Sequence, residues 1–279
     1  MRRRLDAELV RRHLFESREQ AQSAIDQRRV LVGGSVAEKA SRQVDVSESI
    51  SLLGEAPRFV SRGGEKLSGA LDRFAVAVQG LYAFDAGAST GGFTDCLLQR
   101  GAAGVVAVDV GYGQLHERIR ADDRVEVHER VNLRTVDVRT RFGARQFPVL
   151  VGDLSFISLR SVAANLRSLT APGGDMVLLV KPQFEAGRED VSRGRGVIRH
   201  PDIWTRVLLD VASSFLSYNA TMMDVMASPI TGADGNVEFL IWLRTDAPVR
   251  DPELIETAIH DVVSQVRAGA LGPASNGNV

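Results

Sequence analysis

Hydrophobic positions follow two different patterns along the chain, and the change falls near residue 60. In the first 55 residues, apolar side chains are sparse and charged ones are frequent. The spacing there predicts helices over 4–16 and 18–27, the second capped by Ser17, and short strands over 30–32, 43–46 and 50–53. Together these elements predict a small α+β domain, large enough for a compact binding module.

From Glu65 onward, apolar runs of strand length alternate with helical patterns. This alternation is typical of a mostly parallel, doubly wound sheet with helices on both faces, a Rossmann-like fold. The expected strands cover 81–84, 105–108, 125–128, 149–152, 176–180, 222–226 and 237–243, and the last helix covers 251–268. A turn signal at Gly235-Asn236 precedes the final strand, so we expect that one strand to run antiparallel.

Changes in composition divide the chain into four parts. The predicted boundaries are a small domain over 1–55, a linker over 56–64, a large domain over 65–268 and a tail over 269–279. The linker is predicted from Pro57 and the glycines around it. The tail is rich in Gly, Pro, Ser and Asn, which predicts disorder.

The overall composition is that of a soluble globular protein, with 44% hydrophobic and 25% charged residues and a net charge of −1. No apolar run approaches the ~18 residues of a membrane-spanning helix, and we expect no signal peptide. The single cysteine excludes an internal disulfide, and the histidines show no metal-ligand spacing, so no metal site is expected. These features predict a cytoplasmic protein that does not act at a membrane.

The most distinctive motif is a glycine-rich turn, Asp85-Ala-Gly87-Ala-Ser89-Thr90-Gly91-Gly92-Phe93, directly after an apolar run. A helix is expected to start at Gly91 to Phe93, where its first N–H groups have no partner within the helix. The motif differs from the G-x-G-x-x-G dinucleotide fingerprint, and its leading acid suits a cationic ligand better than a phosphate. S-adenosylmethionine, with its ammonium and sulfonium groups, is such a ligand. A structural turn without a ligand is the alternative.

Polar residues end four of the predicted strands: Asp85, Asp109, Asp153 and Lys181. In open α/β sheets, ligands bind outside the carboxyl ends of the parallel strands, so these side chains are expected at one ligand-binding edge. Asp109 comes 24 positions after Asp85, near the spacing at which an acid binds a ribose diol. A solvated strand end is the alternative for Asp109.

Two further charged residues are expected at the same edge. Glu238 lies at the start of the predicted antiparallel strand, and that end meets the carboxyl ends of its parallel neighbours. Lys66 lies just before a helix predicted over 67–74 and can reach the same place. The alternative is a salt-bridge network at a strand edge with no catalytic role.

Arginine is concentrated at the N-terminus, where residues 1–30 hold eight arginines against five acids. Such a basic region can grip phosphates, which positions a nucleic acid without reading its sequence. The candidate nucleic-acid-binding residues are Arg3, Arg4, Arg11, Arg18, Arg28 and Arg29. Scattered surface arginines are the alternative.

From Arg4 to about Arg244, the chain resembles the TlyA family, in which a small RNA-binding domain is joined to an RNA ribose methyltransferase of the FtsJ type. The segments that carry the resemblance are Ser61-Arg-Gly-Gly-Glu-Lys66-Leu, Asp85 to Phe93, Asp109-Val-Gly-Tyr-Gly-Gln-Leu115, Asp153-Leu-Ser-Phe-Ile-Ser158, Val180-Lys181-Pro-Gln-Phe-Glu185 and Gly235-Asn-Val-Glu238. In the first 55 residues they are Arg4-Leu-Asp6, Ser17-Arg18 and Val30-Leu-Val-Gly33.

The resemblance implies a function and a set of site residues. It implies S-adenosylmethionine-dependent transfer of a methyl group to a ribose 2′-OH, with cytidine in the RNA of both ribosomal subunits as the target. The implied catalytic residues are Lys66, Asp153, Lys181 and Glu238. The implied cofactor residues are Asp85, Gly87, Ser89, Gly91, Gly92, Phe93 and Asp109.

In this interpretation Lys181 contacts the 2′-OH, as a base if neutral or as electrostatic support for a developing alkoxide if charged. Asp153 and Glu238 are expected to orient Lys181, while Lys66 supplies positive charge or grips the substrate. The chain departs from the family pattern at Arg29, where a glycine is usual, and at Gly33, where an asparagine is common. Two other functions remain open: a haemolytic, membrane-active protein, and a ribosome-binding assembly factor without catalysis.

Overall fold

The chain folds as two units, Met1–Pro57 and Arg58–Val279, each with its own hydrophobic core. This computed structural model describes residues 2–12, 14–15, 17–54, 57–194, 196–232 and 235–269. The tail predicted over 269–279 therefore lies, apart from Gly269, outside the described residues.

The first unit combines two helices with short strands. Its elements are β1 (Arg2–Arg4), α1 (Leu5–Arg11), α2 (Arg18–Asp26), β2 (Val30–Val32), β3 (Ser35–Val36), β4 (Gln43–Asp45) and β5 (Ile50–Leu52). Strand β1 pairs antiparallel with β4, and β2 lies between β3 and β5. Leu5, Leu9 and Ile25 from the helices pack with Val30 and Val44 from the strands.

The helix predicted over 4–16 is wrong at both ends, because Arg4 belongs to strand β1 and α1 ends at Arg11. Three exposed arginines in a row give no alternation of apolar and polar side chains, so β1 left no strand signal. The start of α2 is confirmed, since the Ser17 hydroxyl accepts a hydrogen bond from the Gln20 N–H at 3.2 Å.

The second unit alternates strands and helices. Its strands are β6 (Tyr82–Ala86), β7 (Gly104–Val108), β8 (Val125–His128), β9 (Phe147–Gly152), β10 (Thr170–Val180), β11 (Ala220–Ala227) and β12 (Phe239–Thr245). Its helices are α3 (Gly63–Phe74), α4 (Gly92–Gln99), α5 (Glu117–Arg120), α6 (Val138–Phe142), α7 (Ala163–Leu169), α8 (Pro182–Glu185), α9 (Arg188–Arg193), α10 (Pro201–Leu216) and α11 (Pro252–Arg267). A 3₁₀ turn covers Leu159–Ser161.

The seven strands of this unit form one sheet in the order β11-β12-β10-β9-β6-β7-β8. Strand β12 runs in the opposite direction to the other six strands of this sheet, which confirms the predicted direction of the last strand. The chain starts the sheet at β6, adds β7 and β8 on one side, and returns to β9 on the other. The β6–β9 boundary is therefore a topological switch point, where doubly wound sheets bind their ligands.

Apolar side chains cover both faces of the sheet. One face packs Leu150 and Leu178 against Trp204 and Phe215 of α10, and the other packs Val151 against Leu67 of α3. Strands buried on both faces read as continuous apolar runs, which is why the sequence pattern located them.

Helix α3 begins four residues earlier than predicted, so Lys66 lies in its first turn rather than before it. Among the described residues, no helix is both long enough and apolar enough to cross a membrane.

Candidate active site

The glycine-rich turn after β6 brings the chain into close contact with the end of β9. Gly87 has a φ of +86°, and a Cβ atom there would lie 2.7 Å from the carbonyl oxygen of Asp153. Only glycine meets both demands, since other residues rarely adopt this backbone conformation and the oxygen belongs to the main chain. Gly87 therefore fixes the distance between the two central strands at the ligand-binding edge.

A second close approach joins the starts of α3 and α4. A Cβ at Gly92 would lie 2.3 Å from the Ser61 hydroxyl oxygen and 2.9 Å from the Gly64 backbone nitrogen. Helix α4 begins at Gly92, as predicted, after Gly91 in the left-handed conformation. The first N–H groups of both helices consequently lie near each other, and such groups attract anionic or acceptor groups of a ligand.

Between these segments lies a cavity of about 200 Å³. Six predicted site residues line it: Lys66, Gly87, Ser89, Gly92, Phe93 and Asp153. Five lining residues were not predicted: Ser61, Arg62, Gly63, Ala88 and Thr90. All five belong to the two motifs quoted above, so the motifs located the cavity better than the choice of single residues did.

Asp109 holds the glycine-rich turn in shape. Its carboxylate accepts the Ser89 N–H at 2.8 Å and the Gly111 N–H at 2.6 Å. Each carboxylate oxygen has two lone pairs, so Asp109 retains capacity for hydroxyl donors of a ligand. The predicted part of Asp109 in binding a ribose thus stays a prediction with a compatible geometry.

Asp85 is fully buried within β6, behind the turn rather than in the lining of the cavity. Its carboxyl group accepts a hydrogen bond from the Thr94 hydroxyl at 2.6 Å, which ties the strand to α4. Burial raises the pKa of Asp85 to about 7; the Thr94 hydrogen bond opposes this rise and the nearby Asp153 carboxylate adds to it.

We expect replacement of Asp85 by asparagine to change how stability depends on pH. The folded wild type keeps the Asp85 proton up to about pH 7, whereas the ordinary pKa is 3.8. The stability of the wild type therefore falls as pH rises through this window, whereas that of Asp85→Asn does not. Across the window, the free energy of unfolding of Asp85→Asn should rise relative to that of wild type by on the order of 2–4 kcal/mol. Urea unfolding followed by tryptophan fluorescence at pH 5 and pH 8 measures it, because Trp204 and Trp242 both lie in this unit. Parallel pH profiles for the two proteins would contradict the assignment.

Strand register brings the predicted catalytic residues to one edge of the sheet. Val180 pairs with Phe239 across β10 and β12, so the residues just beyond them, Lys181 and Glu238, leave the sheet at the same edge. Asp153 directly follows β9, the other neighbour of β10.

The four charged residues form two ion pairs. Lys181 lies 2.5 Å from the Asp153 carboxylate, and the Lys66 ammonium donates to Glu238 at 2.5 Å. Both lysines and Glu238 are almost fully buried. Glu238 was expected to orient Lys181, but its carboxylate contacts Lys66 instead. Since Lys66 and Asp153 line the same cavity, both pairs meet at one place.

Lys181 has a second contact that the sequence did not predict. Its ammonium donates a hydrogen bond to the Ser155 hydroxyl at 2.7 Å, in addition to contacting Asp153. Two fixed contacts hold the Nζ atom in place, which a single flexible ion pair does not achieve. Ser155 lies in the segment after Asp153 that carries the family resemblance. That segment was the available signal, because a single serine in a loop has no distinctive sequence pattern of its own.

Glu185 is another residue that sequence reasoning missed. Its buried carboxylate accepts the Ser158 hydroxyl and the Leu159 N–H, both at 2.5 Å. These bonds hold the loop between β9 and the 3₁₀ turn, which carries Ser155 and the exposed Phe156. Glu185 therefore supports the loop that reaches Lys181.

The family models match both units of the chain. A model described as FtsJ-like methyltransferase matches residues 59–245, and a model described as S4 domain matches residues 3–50. The 16S/23S rRNA (cytidine-2′-O)-methyltransferase TlyA of Mycobacterium tuberculosis is 44% identical over 95% of this chain and 98% of its own length. The chain belongs to the TlyA family.

Other members are similar over nearly the same length. This chain is 42% identical to YqxC of Bacillus subtilis, over 94% of its own length and 93% of that protein. A solved structure described as a hemolysin from Streptococcus thermophilus superposes with a TM-score of 0.75 at 38% identity, covering 96% of this chain and 98% of that one. The family and the Rossmann-like methyltransferase fold are thus confirmed.

The first unit, residues 1–57, contains the match to the S4 model and is called the S4 unit below. Its arginines lie around acidic side chains. Arg4 and Arg18 contact the buried Asp6, while Arg11 contacts the buried Glu8. The other predicted arginines have these contacts: Arg3 lies 4.0 Å from Glu8, Arg28 lies 3.5 Å from Glu38, and Arg29 donates to the Leu53 carbonyl. Arg3, Arg4, Arg11, Arg18 and Arg28 thus lie within ion-pair distance of a carboxylate.

No three His, Cys, Asp or Glu side chains converge on a possible metal position within the part of the chain that the structure describes.

Proposed function

We propose that this protein transfers the methyl group of S-adenosylmethionine to a ribose 2′-OH of ribosomal RNA, with cytidines in both subunits as targets. The observation that carries the proposal is the fixed position of Lys181, held by Asp153 and Ser155 beside the glycine-rich turn. The M. tuberculosis relative is named as an rRNA (cytidine-2′-O)-methyltransferase, which supports the proposed substrate. Ribosomal RNA as substrate also favours a cytoplasmic location.

The cavity fits the proposed cofactor. A ligand with a carboxylate, an ammonium and a ribose needs N–H donors, acceptors and room beside the backbone, and the site offers each of these. The first turn of α4 offers N–H groups, Asp109 retains acceptor capacity, and Gly87 and Gly92 leave no side chain between the segments. When bound, S-adenosylmethionine supplies an electrophilic methyl group on its sulfonium.

Positioning should supply much of the rate enhancement, because a ribose hydroxyl is a poor nucleophile at neutral pH. We assign Lys181 to the 2′-OH, where its Nζ atom accepts the hydroxyl proton if neutral or stabilises the developing alkoxide if charged. Asp153 and Ser155 orient Nζ. The carboxylate of Glu238 balances the charge of the buried Lys66 ammonium and holds it in place. This pair thereby helps to shape the cavity wall.

The S4 unit is assigned to RNA binding. Its half-exposed arginines can contact phosphates, which positions the RNA without specifying its sequence. The expected partners are ribosomal RNA or ribosomal subunits.

The deciding experiment is transfer of a tritiated methyl group to purified small and large ribosomal subunits that lack the modification. We expect label on both, and mapping of the modified position should identify a 2′-O-methylcytidine. Label on a base rather than a ribose would contradict the reaction. If calorimetry detects no binding of S-adenosylmethionine, the non-catalytic assembly factor becomes the better interpretation. Leakage of liposomes by the purified protein would favour the membrane-active alternative.

A further inference from the structure

The S4 unit contains an acid at the centre of its basic surface. Asp6 is fully buried at the start of α1, and both of its carboxylate oxygens accept several hydrogen bonds. Arg4 binds it in a bidentate manner at 3.1 and 3.0 Å, and Arg18 donates to it at 2.8 Å. Gln22 and the Ala7 N–H complete the set, at 2.8 and 2.9 Å.

This carboxylate brings two cations together. One guanidinium nitrogen of Arg4 and one of Arg18 bind the same oxygen, Oδ2 of Asp6, at 3.0 and 2.8 Å. The two nitrogens therefore lie no further apart than the sum of these distances. Two guanidinium groups at such a distance repel each other unless a negative charge lies between them. Arg4 and Arg18 are 14 positions apart in the chain, and both bind the carboxylate of Asp6.

We propose that Asp6 is a positioning residue that makes Arg4 and Arg18 a single binding unit for one phosphate group of the RNA backbone. The proposal rests on the proposed function of the S4 unit, and it adds a specific device to it. Asp6 is an acid, so an estimate of RNA binding from net charge alone would count it as unfavourable.

The exposed sides of the two arginines suit this role. Their side chains are 45% and 55% exposed, although their Asp6 partner is buried. Arg4 uses two of its five N–H groups on Asp6 and Arg18 uses one, which leaves further N–H groups on each guanidinium for a phosphate. The three charges sum to +1, and planar guanidinium groups bind phosphate oxygens in a bidentate geometry.

Asp6 keeps its charge in any ordinary assay. The Arg4 guanidinium holds the pKa of Asp6 well below its usual range, with further contributions from Arg18 and Gln22 that together outweigh burial. The arrangement is consequently present at neutral pH, where RNA binding is measured.

The test compares two variants that each remove one negative charge from the S4 unit of the full-length protein. Asp26 lies exposed at the end of α2, so Asp26→Asn is the matched control for Asp6→Asn. If net charge governs binding, both variants bind purified ribosomal subunits as well as wild type or more tightly. If Asp6 positions the arginines, Asp6→Asn binds about tenfold more weakly while Asp26→Asn does not. The slope of log affinity against log salt should also fall by about one for Asp6→Asn. Unchanged or tighter binding by Asp6→Asn would overturn the proposal.

A second series does not disturb the buried acid, and it decides the matter if Asp6→Asn fails to fold by circular dichroism. Arg4→Ala, Arg18→Ala and the double variant change half-exposed side chains. A shared phosphate site predicts that the double variant loses little more affinity than either single variant, because each removal already breaks the unit. Additive losses would mean two independent contacts and would refute the proposal. If wild type itself binds neither subunit, the RNA-binding function fails first, and this inference fails with it.

Discussion

Replacing Lys181 by alanine should reduce methyl transfer to ribosomal RNA by on the order of 10³-fold while the protein stays folded and still binds S-adenosylmethionine. The Lys181 ammonium is held at 2.5 Å from Asp153 and 2.7 Å from Ser155, at the edge of the sheet where the glycine-rich turn lies. Alanine removes the amino group, the only part of this side chain that can accept the hydroxyl proton or stabilise the developing alkoxide. Asp153 remains, but it is partly exposed and can be solvated, so the fold should survive.

Single-turnover rates with tritiated cofactor measure this effect, and calorimetry checks that cofactor binding is kept. Lys39→Ala is a suitable control because Lys39 is an exposed lysine in the other unit. A Lys181→Ala protein that is folded, binds the cofactor and methylates at near wild-type rate would refute the catalytic assignment.

Replacing Gly87 by alanine should cost about 3 kcal/mol or more in stability and greatly weaken cofactor binding. Two costs combine at this position. Alanine is strained at a φ of +86°, and its Cβ would lie 2.7 Å from the backbone oxygen of Asp153. A backbone oxygen cannot rotate away as a side chain can, so the turn and the end of β9 must separate.

The matched control for this variant is Gly80→Ala. Gly80 has a φ of +74°, yet no atom lies within 4 Å of the position its Cβ would occupy. Gly80→Ala therefore reports backbone strain alone, expected at about 1 kcal/mol. Urea unfolding of both variants, with calorimetry of cofactor binding, separates the two costs. Equal losses of stability, with cofactor binding intact in Gly87→Ala, would show that the contact with Asp153 is unimportant.

The buried strands are the part of this fold most predictable from sequence. β7, β9 and the second half of β10 are buried, so residues 104–108, 147–152 and 176–180 form nearly continuous apolar runs. The direction of β12 was also predictable, because a turn signal precedes it. The edge at which Asp153, Lys181 and Glu238 meet follows from these two facts.

What the sequence could not provide is the pairing of side chains. Lys66 contacts Glu238 from the first turn of α3, which starts at Gly63. Gly64 in the same turn lies so close to Phe59 that a Cβ there would be 2.3 Å from the ring. Glycines are poor helix formers, so their presence argued for a linker instead. Ser155 was missed for a related reason, since its contact with Lys181 depends on the path of a loop rather than on periodicity.

Two ion pairs at one edge of the sheet leave the candidate catalytic residues with no net charge. Lys66 cancels Glu238 and Lys181 cancels Asp153, so these four side chains give the cavity no net attraction for a polyanion. We therefore expect affinity for RNA to come from other residues, while these four side chains take the catalytic role proposed above. Substitutions that alter RNA affinity and substitutions that alter the rate of methyl transfer are therefore expected at different residues of the chain.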